Sequence, residues 1–230
     1  MLLFLHMEKI TKKLSGAFSD YFKEVIYGGI DGIVTTFAVV AGGAGASLSN
    51  DETTQIVFVA VLLFGLANLF ADAASMGLGN FLSVRSEKDL YTVNREAERA
   101  GLQSNPESEY LETVRILQEK GFTLEDAETL AGHYRYNEDY WLDFMMHHKH
   151  GEADPRGENE VFTGLATFLS FMVFGAIPLL PFMIQTTGDT STAFAYSCVG
   201  TFLALVVLGL LKWKVIGDKL RNSLTEVVLV

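Results

Sequence analysis

The chain has 230 residues, is 49% hydrophobic and carries a formal net charge of -11, a balance that argues against a nucleic-acid partner. A single cysteine, Cys198, excludes an internal disulfide and sits in an apolar run where a thiol ordinarily only packs. The hydrophobic fraction is ordinary for a soluble domain, but its distribution is not: apolar residues gather in three long stretches and charge gathers in one segment.

Met1–Leu5 is too short for the apolar core of a signal peptide, because Glu8, Lys9, Lys12 and Lys13 follow closely. Phe18, Phe22, Val25 and Ile26 recur at helical spacing, so residues 1–24 are expected to form an amphipathic lead-in on a membrane surface. Between Glu24 and Asp51 the only charged side chain is Asp31. Between Glu52 and Arg85 it is Asp72, and between Glu160 and Lys212 it is Asp189. About 20 apolar residues cross a bilayer as a helix. Residues 25–84 therefore hold spans one and two, and 161–211 hold spans three and four with a turn near Asp189. Residues 212–230 read as a basic stretch followed by the start of a further span cut short. The fold class expected is all-α: a polytopic helical membrane protein with a helical subdomain, 85–160, inserted between spans two and three.

The 17 lysines and arginines divide into four before span one, nine between spans two and three, and four after span four. With four spans all of them fall on one side, which the positive-inside rule makes cytoplasmic. The inserted segment shows three helical pieces, one after Pro106, one over Leu124–Tyr134 and one over Asn137–His148, punctuated by Gly121 and Thr123. Arg85–Tyr91 is expected to prolong the helix of span two. Pro178 and Pro181 in IPLLP predict a kink near the outer end of span three. The glycine pairs at 28–29 and 42–43 suit close helix packing better than phosphate binding.

Asp31 and Asp72 carry the chemistry of the spans. A carboxylate at bilayer depth costs about 2.5–3.5 kcal/mol on insertion scales, so it normally faces a pathway or a partner. Asp31 lies one turn before Thr35. Asn68, Asp72 and Met76 are spaced four apart and share a helix face, which Asn80 prolongs. Oxygen ligands with a thioether beside them tilt the preference from magnesium toward a softer transition metal. The alternative is that the carboxylates cap or bond to neighbouring helices and that Met76 packs. Glu87, just past this stripe, either hands ions to it or pairs with Lys88 or Arg85.

The inserted segment has 18 acidic against nine basic side chains. Glu109 and Glu112 lie three apart on one helix face, Glu96 and Glu98 precede them, and Met145 and Met146 run into His147, His148 and His150. Such a set either holds a transition ion or forms a solvated acidic face with a histidine-rich turn. No Glu-x-x-His or His-Glu-x-x-His motif occurs, and no nucleophile motif, so the chain reads as no enzyme. The readings that remain are a transporter, a divalent-cation channel, or a metal buffer or sensor tethered to a membrane.

Three segments together resemble the vacuolar iron transporter family: YGGIDGIVTTFAVVAGGAGASLS (Tyr27–Ser49), GLANLFADAASMGLGNFLSVRSEKDLY (Gly65–Tyr91) and SFMVFGAIPLLPFM (Ser170–Met183). The resemblance implies a homodimer of five-span subunits with an ion path between them, lined by span one. It implies export of Fe2+, and of Mn2+ or similar ions, from the cytosol in exchange for protons across a prokaryotic plasma membrane or a vacuolar-type membrane, with no prosthetic group. Asp31 and Met76 match the family's pathway aspartate and methionine. The acidic segment matches its cytoplasmic metal-binding domain, where Glu98, Glu109, Glu112, Met145 and Met146 fall at expected ligand positions. Two departures stand out. Gly101 occupies a position where a second glutamate is expected, and Lys149 one where another carboxylate is expected. The fifth span is represented only by Leu224–Val230.

Overall fold

The structure, a computed structural model, describes residues 21–47, 54–184, 189–217 and 219–228; most of the lead-in and the last two residues lie outside them. Every regular element among the described residues is helical. The elements are α1 (Phe22–Ser47), α2 (Thr54–Ser104), α3 (Pro106–Glu119), α4 (Leu124–Tyr134), α5 (Glu138–His148), α6 (Glu160–Gly175), α7 (Leu180–Ile184), α8 (Thr190–Ile216) and α9 (Leu220–Val228). They form two compact units, Met1–Phe81 with Glu160–Val230, and Leu82–Asn159. α2 contributes its first part to one unit and its remainder to the other.

Among the described residues, four helical stretches have the length and composition of membrane spans: Phe22–Ala46, Phe58–Ser104, Glu160–Ile184 and Thr190–Ile216. Their outward faces carry exposed Leu63, Phe64, Phe70, Leu165, Val173, Val199 and Leu203, an apolar exterior suited to lipid and not to water. Their inward faces bury two clusters. One holds Val40, Phe58, Leu69, Phe171, Leu179 and Phe182, and the other Ile33, Leu205, Leu208 and Val227.

Lipid tails are as apolar as leucine, so these helices associate through close backbone approach and interhelical hydrogen bonds. Gly28 and Gly32, one turn apart on α1, meet α6. A Cβ on Gly32 would stand 2.6 Å from the Phe171 carbonyl oxygen and 3.2 Å from the Gly175 nitrogen, and one on Gly28 would stand 2.9 Å from the Thr167 carbonyl oxygen. Ser170 Oγ seals this seam by donating to the Val25 carbonyl at 2.6 Å. A second such crossing joins α2 to α6, where a Cβ on Gly164 would stand 2.5 Å from the Gly77 carbonyl oxygen. Asn80 donates to Thr167 Oγ1 across the same pair at 2.8 Å.

The IPLLP segment does more than kink span three. α6 stops at Gly175, a 3-10 turn covers Ile177–Leu179, and α7 resumes at Leu180. The buried Pro178 carbonyl is satisfied from a neighbour, since Ser197 Oγ on α8 donates to it at 2.8 Å. Asp189 caps α8 by accepting from the Ser191 and Thr192 amides at 3.1 and 3.3 Å. Gly217, with φ +74°, supplies the left-handed residue that ends α8.

Beyond Gly217, α9 folds back along α8. Leu224 lies against Gly209, Val227 enters the second core cluster, and Lys212 pairs with Glu226. The apolar residues that suggested the start of another span serve this packing within the described part of the chain.

The second unit is built from the end of α2 and from α3, α4 and α5. Pro106 opens α3, where a missing N–H costs nothing. Thr123 caps α4, accepting from the Asp126 amide at 3.2 Å while its hydroxyl donates to Asp126 Oδ2 at 2.7 Å. Asn137 caps α5 by accepting from the Tyr140 amide at 3.2 Å. Leu102, Ile116, Trp141, Leu142 and Met145 form its core, with a second cluster of Val114, Leu117, Ala127 and Ala131 beside it.

Candidate functional site

In the membrane-type unit the α2 stripe is half-buried along its length at Asn68, Asp72, Met76 and Asn80. Asn68 Nδ2 donates to Asp72 Oδ2 at 2.7 Å, so the amide orients one carboxylate oxygen and leaves the other free of that bond. Met76 packs against the first core cluster while keeping part of its surface open. Asp31 on α1 is likewise half-buried, and it lies near enough to Asp72 for the two charges to interact. The Thr35 hydroxyl is engaged elsewhere, donating to the Asp31 carbonyl at 2.7 Å and not to the carboxylate. Two carboxylates that feel one another favour a shared cation or a shared proton.

Glu24 was not singled out by the sequence. As the last acid before an apolar stretch it reads as a boundary residue. In α1 its side chain is only 2% exposed, Lys23 approaches Oε1 at 3.5 Å, and Oε2 has no hydrogen-bond partner among the described residues. A buried carboxylate oxygen without a donor is costly, and the Lys23 ammonium is the counter-charge that the described residues bring to Glu24. The only sequence signal is its spacing, seven residues or two turns before Asp31 on the same helix face.

In the acidic unit the structure engages several of the expected ligands with side chains of the protein itself. Glu98 on α2 and Glu109 on α3 converge. The group between them is the Lys149 ammonium, 2.9 and 3.0 Å from the two Glu98 oxygens and 2.7 Å from Glu109 Oε2. His150 Nε2 also reaches Glu98 Oε2 at 2.8 Å. Burial alone would raise the Glu98 carboxyl, but its hydrogen bonds with His150 and Lys149 hold it below the ordinary glutamate value. Burial opposes the Lys149 charge in the same way, and the bonds to Glu109 and Glu98 override it, holding the ammonium above the ordinary lysine value. Glu112 turns to Arg115 instead, at 2.5 and 3.0 Å, and that hydrogen bond lowers its carboxyl. Gly101 leaves open space that only Glu109 Oε1 approaches, a Cβ there standing 3.6 Å away.

Met145 and Met146 are both fully buried in this unit. The Met145 sulfur lies 3.4 Å from the Thr113 hydroxyl. That hydroxyl donates to the Glu109 carbonyl at 2.8 Å and accepts from Trp141 Nε1 at 2.8 Å. Through Thr113 the Met145 sulfur is linked to the backbone of Glu109. The His148 ring lies between Phe144, tilted to it, and His147, edge-on to it, with both ring centroids 4.6 Å away, and burial followed by the nearby His147 and Lys120 charges lowers its pKa. Among the described residues, no three His, Cys, Asp or Glu side chains are placed to share one ion.

Thr113 is a second residue that the sequence did not mark. Its replacement by valine leaves the buried Trp141 N–H without an acceptor, at a cost of about 1–3 kcal/mol. The expected result is faster amide exchange across Glu138–His148 in Thr113→Val and near-normal exchange in Thr113→Ser. Equal exchange in the valine variant and the wild type would remove Thr113 from this role.

An all-helical chain with four span-length helices, half-buried acids on two of them and an acidic helical insertion is a polytopic membrane protein. The model of the VIT family matches residues 22–230, and the chain belongs to that family. It is 36% identical over 216 residues to the vacuolar iron transporter of Toxoplasma gondii, covering 89% of this chain and 68% of that protein. It is 32% identical to the vacuolar iron transporter of Plasmodium falciparum over 87% of this chain and 73% of the other. With vacuolar iron transporter 1 of Arabidopsis thaliana the identity is 31%, over 90% and 79%.

Proposed function

We propose that this chain carries Fe2+, and similar divalent transition ions such as Mn2+, out of the cytosol in exchange for protons. The relatives named as iron transporters support iron as cargo. The observation that carries the mechanism is the half-buried Asp31 carboxylate within charge reach of Asp72, with Met76 on the α2 stripe. Asp31 binds the partly dehydrated ion and takes a proton on the return stroke, because one carboxylate does not hold both. Met76 offers a soft ligand that favours transition ions over magnesium. Glu24 extends this set of acids along α1. The distribution of basic residues supports a cytoplasmic acidic unit, which collects ions ahead of the spans. The subunit acts as a homodimer in this reading.

A tethered metal buffer is the weaker reading, since an anchor needs no buried carboxylates and the best-placed pair in the acidic unit is already engaged by Lys149. The deciding experiment is Fe2+ uptake into proteoliposomes with an imposed pH gradient. Uptake against the metal gradient that collapses with a protonophore supports the exchanger. Uptake that runs only down the metal gradient, whatever the pH difference, identifies a channel instead.

A further inference from the structure

The ammonium of Lys149 has three N–H donors. All three are matched, by both oxygens of Glu98 and one of Glu109. These groups come from separate parts of the acidic unit: Glu98 from the end of α2, Glu109 from the first turns of α3, and Lys149 from the residue that closes α5. The Glu98 side chain is 6% exposed and that of Glu109 16%, so neither carboxylate is a freely hydrated surface group. His150 adds a further contact to Glu98. A cation already sits at the point where a buried and a half-buried carboxylate meet, and the protein supplies it.

We propose that Lys149 is the resident cation of the acidic unit, a tethered competitor that ties α2, α3 and α5 together and admits a divalent ion between Glu98 and Glu109 only when the ammonium is displaced. The unit then keeps its order without metal. Its affinity for metal is set by the competing lysine as much as by the carboxylates. Neutralising the lysine leaves two facing carboxylates without compensation. The unit then loosens, and a divalent cation restores it. The proposal rests on the reading above only for the kind of ion that competes.

The test is amide hydrogen exchange, read by mass spectrometry on peptides covering residues 138–150 of the full-length protein in detergent, with and without Mn2+. Wild type is expected to exchange at the same rate in both conditions. Lys149→Gln is expected to exchange ~10-fold faster or more without metal and to recover protection as Mn2+ is added. Lys149→Arg, which keeps the charge, is expected to follow wild type. The proposal is overturned if Mn2+ protects wild type at the same concentration as Lys149→Gln, if Lys149→Gln keeps full protection without metal, or if Mn2+ fails to restore it. Should Lys149→Gln not fold, the wild-type arm still decides, because Mn2+-dependent protection there means that the carboxylates are open. Transport plays no part in this readout, so a chain inactive in proteoliposomes and a chain with an unoccupied carboxylate pair give different results.

Discussion

Asp31→Ala is expected to abolish proton-driven Fe2+ uptake while leaving the protein folded. Removing one partner from a desolvated ionic contact costs about 3–5 kcal/mol, on the order of a 10²–10⁴-fold loss in the affinity for the passing ion. Asp31→Asn keeps the shape and removes the charge, so it is expected to fail as completely, and Asp31→Glu to retain partial activity. Asp189→Asn supplies the control. Asp189 stands before α8 as its cap, and asparagine caps equally well, so transport is expected to persist. The measurement is initial uptake rate at a fixed pH gradient, with monodispersity in detergent as the check on folding. Full activity in Asp31→Asn would remove Asp31 from the ion path.

The second large effect falls on packing. Gly32→Val places its first side-chain atom where the Phe171 carbonyl oxygen and the Gly175 nitrogen already stand, at 2.6 and 3.2 Å. These are backbone atoms, so no rotamer change relieves the clash, and α1 and α6 must separate. Overpacking in a rigid core typically costs 1–3 kcal/mol, and the lack of any yielding side chain puts this site at about 3 kcal/mol or above. A marked fall in the detergent melting temperature is expected, with loss of the folded peak on size exclusion. Gly79→Ala meets nothing within 4 Å and is expected to be neutral or slightly stabilising, since alanine is the better helix former. An unchanged melting temperature in Gly32→Val would show that the α1–α6 seam is looser than its geometry.

These two sites illustrate what the sequence discloses and what it withholds. Asp31 announces itself, because an acid in a long apolar stretch has few innocent explanations. The spans follow from length and hydropathy, and α4 runs over the predicted Leu124–Tyr134 because its capping threonine and its ending both have local signatures. α5 likewise starts after Asn137, whose side chain caps it. A glycine pair in span one suggests close packing, but nothing local says that Gly32 meets Phe171 and Gly175, some 140 residues away. Lys149 is legible only as an oddity, a lysine where a carboxylate is expected. Its meeting with Glu98 and Glu109, 51 and 40 positions earlier, is a product of the fold. Thr113 is silent for a different reason: a threonine in a helix carries no pattern, and its importance comes from the buried indole that turns toward it. The two methionines after Phe144 stand next to three histidines in sequence, and their burial is set by helix faces that adjacency does not reveal.

Closing Glu98 and Glu109 with a lysine, and Glu112 with an arginine, changes how the acidic unit deals with ions in solution. What remains is an excess of solvated carboxylates, spread over several helices and not focused in one cage. Such a surface acts as a diffuse negative cloud. In a cloud of this kind a doubly charged ion is enriched by the square of the factor that applies to a singly charged one, regardless of its ligand chemistry. Such a field discriminates by valence and not by softness. The enrichment fades as salt shortens the reach of the field, to about 8 Å at physiological ionic strength, so only ions already skimming the surface feel it.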